Sequence, residues 1–191
     1  MDKLSQTSFK TNVLTQIIKG ARVFQNVFID YEYEVFSNAF KKQKTYIISA
    51  SKTNFLHLTG VNTSLSAENF FNKALNKTLT ESDFDFVKKN QSEKSVKGSV
   101  RRKVKFLSDL DKIFKNNPLA QESLVKNRIS CSLATSENTF TIGFIACPKC
   151  RPNTLLKGNE LINPCKIERI ARRKRGDASF SDVIFEVNIQ N

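Results

Sequence analysis

The sequence predicts an α+β fold: an N-terminal helix and hairpin, central helices, then a C-terminal antiparallel sheet stapled by a structural zinc. Three observations predict it. Apolar residues recur at helical spacing near the N-terminus. Later segments alternate apolar and polar residues, as half-buried strands do. Four cysteines, Cys131, Cys147, Cys150 and Cys165, stand together in the last third. Helical patterns precede a run of strand patterns, and that order separates α+β from alternating βαβ units.

The elements follow in order. Over residues 11–28, Leu14, Ile17, Ile18, Ala21, Phe24 and Phe28 mark one face of an amphipathic helix. Residues 31–36 and 45–50 read as two strands around the polar turn Lys41-Lys42-Gln43-Lys44, a hairpin. A helix over 67–76 buries Phe70, Phe71, Ala74 and Leu75. Thr80 suits an N-cap. Residues 88–99 are polar and serine-rich, which predicts a mobile loop. A helix over 100–115 presents Val100, Val104, Leu107, Leu110 and Phe114 on one face, and Asn116-Asn117-Pro118 stops it. Strands over 129–134 and 140–146 flank a turn at 135–138. Strands over 165–171 and 182–189 close the chain, with a loop at 151–163 before them. At 191 residues this is a single domain, 1–191, with 127–191 as a C-terminal β subdomain.

The cysteines suggest the metal. Cys147-Pro148-Lys149-Cys150 is a C-x-x-C turn, which lets two thiolates reach one tetrahedral ion. Cys131 and Cys165 lie before and after it, each near a strand end. All four would make a closed, structural zinc site with no open position for substrate. The alternative is four small apolar core residues. Met1-Asp2-Lys3-Leu4-Ser5 is polar and no apolar run follows, so no signal peptide is expected. The expected location is the cytoplasm of a bacterial host, where thiols stay reduced and a metal is favoured over disulfides. No stretch approaches the ~20 apolar residues of a membrane span.

The formal net charge is +13, which favours an anionic partner. Two clusters concentrate it. Arg101, Arg102, Lys103 and Lys105 stand at the predicted start of a helix, where they oppose its dipole. Arg169, Arg172, Arg173, Lys174 and Arg175 form a run at a predicted hairpin tip ending in Gly176. Both suit phosphate, which arginine binds bidentately; a solvated helix face and hairpin tip are the plain alternative. No P-loop, G-x-G-x-x-G, H-E-x-x-H, nucleophile elbow or paired acidic metal site occurs.

The segment Lys52-Thr53-Asn54-Phe55-Leu56-His57-Leu58-Thr59-Gly60-Val61 resembles the N-F-x-H-L-T-G signature of a protein family encoded by phages and mobile elements. That family is classed, as the fourth of its group, with nucleases related to barnase, EndoU, colicin E5/D and RelE. Ala67-Glu68-Asn69-Phe70-Phe71 resembles the helix after the signature. Ile142-Gly143-Phe144-Ile145 with Pro152-Asn153-Thr154-Leu155-Leu156 resembles its late hairpin, and Ile167-Glu168-Arg169-Ile170 its terminal one. The cysteines are an addition to the pattern. The resemblance implies nuclease ancestry, with His57 as the candidate catalytic residue.

His57 is the single histidine, the side-chain type suited to proton exchange near neutral pH. It could deprotonate a ribose 2′-hydroxyl or protonate a leaving oxygen; alternatively its ring fixes the turn at Gly60. Thr59 is a phosphate contact or a helix-entry residue. Two functions are therefore expected from different classes. One is a metal-independent endoribonuclease, or an RNA-binding descendant of one. The other is a non-catalytic anti-CRISPR-type inhibitor that binds a ribonucleoprotein defence effector such as Cas9 and blocks nucleic-acid loading. A DNA-binding regulator has no helix-turn-helix signal in its favour.

Overall fold

The computed structural model describes residues 3–115, 117–126, 129–146 and 149–187. Helix α1 (Lys3–Phe24) runs into a π-turn (Gln25–Ile29). Strands β1 (Tyr31–Phe36) and β2 (Thr45–Ile48) form the expected hairpin. Helices α2 (Asn54–Thr59), α3 (Ala67–Leu75) and α4 (Glu93–Val104) follow. Then come a 3-10 helix (Leu107–Lys112) and strands β3 (Leu119–Lys126), β4 (Ile129–Ser136), β5 (Phe140–Ile145) and β6 (Lys149–Lys157). Strands β7 (Cys165–Lys166), β8 (Arg169–Lys174) and β9 (Asp182–Glu186) complete the described chain.

The nine strands form one sheet in the order β7-β3-β4-β5-β6-β2-β1-β8-β9. Only the β2–β6 pair is parallel. The N-terminal hairpin is thus inserted between strands from the C-terminal half, and β3, which precedes residue 127, pairs directly with β4.

The core is aromatic. Val13, Ile17, Ala21 and Phe24 of α1 are fully buried. The Phe24 ring lies 5.3–5.7 Å from Phe28, Phe55 and Phe71. On β1, Tyr33 and Val35 face this core; Tyr33 meets the Phe114 ring at 4.5 Å and donates to the Val27 carbonyl at 2.7 Å. Side chains alternate along a strand, so Glu32 and Glu34 emerge on the opposite sheet face.

Several expectations are corrected. Residues 88–99 are not all loop, because α4 begins at Glu93. Ser92 caps it by accepting from the Ser95 N–H at 3.3 Å, and Val96, Val100 and Val104 bury one stripe. The expected 100–115 helix is instead the last turn of α4 and a separate 3-10 helix. Arg101, Arg102 and Lys103 therefore close a helix rather than start one, and the dipole favours them there. The expected loop at 151–163 is largely β6. The basic run is not a hairpin tip: Arg169–Lys174 is strand β8, paired on both sides with β1 and β9.

Candidate functional site

The signature segment divides into residues that fold and residues that face outward. Asn54 Oδ1 accepts from the Ser51 N–H at 2.8 Å and orders the turn into α2. Phe55 and Leu58 are wholly buried. Thr59 Oγ1 donates to the Leu56 carbonyl at 2.8 Å and accepts from the Val61 N–H at 3.3 Å, so its role is a local cap. Gly60 ends the helix with φ +78°. A Cβ there would also stand 3.0 Å from Lys103 Cδ. Gly60→Ala is expected to cost about 1–2 kcal/mol, the strain of a left-handed non-glycine residue, read by denaturant unfolding. His57 remains exposed, and among the described residues its ring makes no hydrogen bond or ion pair. It does not fix the turn at Gly60.

Thr53 precedes His57 by one helical turn, on the same outward side of α2. It lines a shallow cleft of about 270 Å³ with Ile29, Ala50, Ser51, Lys52, Glu68 and Arg175. A wider groove of about 590 Å³, lined by Ile29, Asp30, Tyr31, Lys174 and Arg175, shares two of these residues. The signature segment and the end of the basic run, far apart in sequence, meet here. Arg175 makes the junction. Its Nε donates to the Ile29 carbonyl at 2.9 Å and its Nη2 to the Ala50 carbonyl at 2.6 Å. Lys52 lines the cleft and Lys174 the adjoining groove. Lys52 has only a loose pairing with Glu68, at 3.9 Å.

Behind the cleft lies a buried carboxylate. Glu32 Oε2 accepts from Arg173 Nε and Nη2 at 2.9 and 2.6 Å, and Oε1 accepts from Ser49 Oγ at 2.6 Å. Arg175 Nη1 is 3.9 Å from Oε1. Burial pushes the Glu32 carboxyl up, but the Ser49 and Arg173 bonds and the two guanidinium charges outweigh it and hold it below the usual carboxylate range. The other arginines of β8 are committed in the same way. Arg169 pairs with Glu34 at 2.9 Å, and Arg172 pairs with Asp182 at 2.6 Å while lying over the Tyr31 ring. Of the predicted basic run, Lys174 and Arg175 reach the cleft; Arg169, Arg172 and Arg173 hold strands together.

The second cluster is split as well. Arg101 lies over the Phe9 ring and Lys105 over Phe106. Arg102 is exposed. Lys103 turns inward, and its Nζ donates to the His57 carbonyl at 3.0 Å. Burial, followed by the nearby Lys88 charge, pushes the Lys103 amine down to about 8.

Residues 16–171 match the family described as phage-Barnase-EndoU-ColicinE5/D-RelE like nuclease 4. The chain belongs to that family. No curated protein and no solved structure matches it. Membership in this nuclease family supports a nuclease-type function, and no described helix is long and apolar enough to cross a membrane.

Among the described residues, the cysteines lie in different surroundings. Cys131 belongs to a small apolar cluster with Leu124 and Ala134, whereas Cys150 and Cys165 border the main core. Cys131 faces Leu124 and Cys165 faces Ala120 across β3, four residues apart. That is about 13 Å along the strand, while thiolates on one zinc each lie ~2.3 Å from it. Cys150 is disulfide-bonded, and Cys147 lies outside the described residues. Burial pushes the Cys131 and Cys165 thiols up, away from the thiolate form. Among the described residues no group of three His, Cys, Asp or Glu gathers for a metal. Cys131 and Cys165 are therefore held apart along the sheet.

Sequence reasoning missed Glu32, Ser49 and Lys52. The alternation Tyr31-Glu32-Tyr33-Glu34 does carry a signal: it places both carboxylates on one face, the face from which Arg169 and Arg173 of β8 reach them.

Proposed function

We propose that this nuclease-family protein cleaves RNA by attack of a ribose 2′-hydroxyl on the adjacent phosphate. The observation that carries the reading is that Lys52 and Thr53, at the start of the His57 helix, line one cleft with Arg175, which also lines the adjoining groove with Lys174. RNA supplies its own nucleophile, so side chains alone can perform this chemistry. His57 exchanges the proton with the 2′-oxygen or the leaving 5′-oxygen. Glu68, which lines the cleft with Lys52 and Thr53, is the carboxylate proposed as its partner. Lys52, Lys174 and the fixed guanidinium of Arg175 stabilise the negative charge that grows on the phosphorane. Ser51 and Thr53, whose hydroxyls share a 2.7 Å hydrogen bond, offer further contacts to phosphate oxygens.

The inhibitor reading draws on the same basic surface, and no feature of the cleft favours it. A fluorescent RNA oligonucleotide and its all-deoxy counterpart separate the two. Cleavage of the RNA alone is expected. Equal cleavage of both would remove the 2′-hydroxyl from the mechanism, and cleavage of neither would favour a binding role.

A further inference from the structure

We propose that the pocket between the 41–44 turn and the β3–β4 pair is a separate anion site, which takes a phosphate monoester. It lies at the start of β2, whereas Ala50 and Ser51 of the cleft described above follow that strand's end. The cavity measures about 350 Å³, within the range of small-ligand sites. Lys42, Gln43, Tyr46, Ser123, Ser130 and Ser132 line it, and among the described residues no carboxylate does. The Gln43 amide carries the argument. Its Nε2 is buried, and among the described residues it has no hydrogen-bond partner. A buried donor left unpaired costs its full desolvation, and an acceptor held in the cavity that Gln43 lines would remove that cost.

The surrounding groups hold the site in shape. Glu122 of β3 accepts from the Lys41 and Lys42 N–H groups at 2.7 and 3.1 Å and from the Tyr46 hydroxyl, so its charge is spent on fixing the turn against the sheet. The Tyr46 ring is itself held edge-on by Phe40, at 5.2 Å. Lys42 Nζ donates to Ser123 Oγ at 2.6 Å, and among the described residues it has no carboxylate partner. Ser123 interrupts β3 with φ +57°, a left-handed conformation that costs energy for a residue other than glycine. The register sets it opposite Ser132, between the Glu122–Leu133 and Leu124–Cys131 pairs. Ser130 and Ser132 alternate onto one face of β4, and among the described residues neither hydroxyl is hydrogen-bonded. A water would satisfy the Gln43 amide alone. It does not account for an ammonium and three hydroxyls set around the same space. Donors come from three segments, the turn, β3 and β4, which suits the several oxygens of a tetrahedral phosphate better than a planar carboxylate.

The test follows the Gln43 side-chain amide by NMR in the full chain, its peaks assigned by their loss in Gln43→Met. Inorganic phosphate and adenosine 5′-monophosphate should each shift these peaks saturably at constant ionic strength. Adenosine and acetate should not. Tighter binding of the nucleotide than of inorganic phosphate would identify a nucleotide as the source of the phosphate, and equal affinities would identify free phosphate. Lys42→Met should weaken binding at least tenfold, read from the same peaks. Lys41→Met removes the same charge outside the pocket and should leave the affinity unchanged. Gln43→Met should also bind at least tenfold more weakly, followed through the Ser132 backbone N–H. It should melt no lower than wild type, because the amide it removes is unpaired. Gln43 peaks that move with neither phosphate, shifts that acetate or adenosine reproduces, or equal losses in Lys42→Met and Lys41→Met overturn the site. None of these readouts depends on RNA cleavage, so the nuclease reading stands or falls separately.

Discussion

His57→Ala is expected to lower RNA cleavage by about 10²–10⁴-fold, the usual contribution of a positioned acid or base. The fold should survive, because the ring is exposed and has no partner among the described residues. Cleavage rates and melting curves on the same preparation check both halves. Phe55→Ala, two residues earlier on the inward side of α2, should do the opposite: it empties a fully buried site beside Phe24, Phe70 and Phe71 and should destabilise the protein by roughly 3–5 kcal/mol. A rate for His57→Ala equal to wild type would take the residue out of the mechanism.

The second large effect concerns Arg173. Arg173→Ala strips Glu32 of a two-bond partner and leaves a buried carboxylate with Ser49 and a distant Arg175. Breaking a buried pair from one side costs ~3 kcal/mol or more, roughly 6–12 °C in melting temperature for a chain of this size. Lys174→Ala, the next residue but exposed, should stay within ~0.5 kcal/mol. The pH dependence has a definite sign. The folded Glu32 carboxyl is depressed below 4.5, so its contribution is complete above that value and is lost as pH falls through the lower folded one. Arg173→Ala should therefore flatten the acid limb of the stability curve. Equal melting temperatures for Arg173→Ala and Lys174→Ala would show that the run is a solvated face after all.

Legibility followed the range of the interactions. The β1–β2 hairpin, α3, and the β4–β5 pair each bury a face whose period is local, and pattern reading located them. Strand β3 was hidden by Ser123, whose φ of +57° breaks the alternation. Strand β6 was hidden from pattern reading by Pro152, tolerated beside the register shift at Gly143/Phe144, although the family resemblance pairs 152–156 with 142–145 as a hairpin. Strand β8 looked like a solvated tip because the carboxylates that match its arginines lie some 140 residues away on β1. The site shows the same division. His57 and Arg175 were visible as residue types, but the meeting of Arg175 with Lys52 and Thr53, at the start of the His57 helix, depends on β8 lying beside β1, which no local spacing encodes. The cysteine spacing was a local signal too, and the strand register separates Cys131 from Cys165.

The most direct measurement uses a DNA oligonucleotide carrying one ribose, incubated with the protein, with product ends identified by mass. Attack by the 2′-hydroxyl predicts a single cut after the ribose and a 2′,3′-cyclic phosphate on the upstream fragment, with no such product from His57→Ala. A cut elsewhere in the deoxy segment, or an upstream fragment ending in a 3′-hydroxyl, would contradict it.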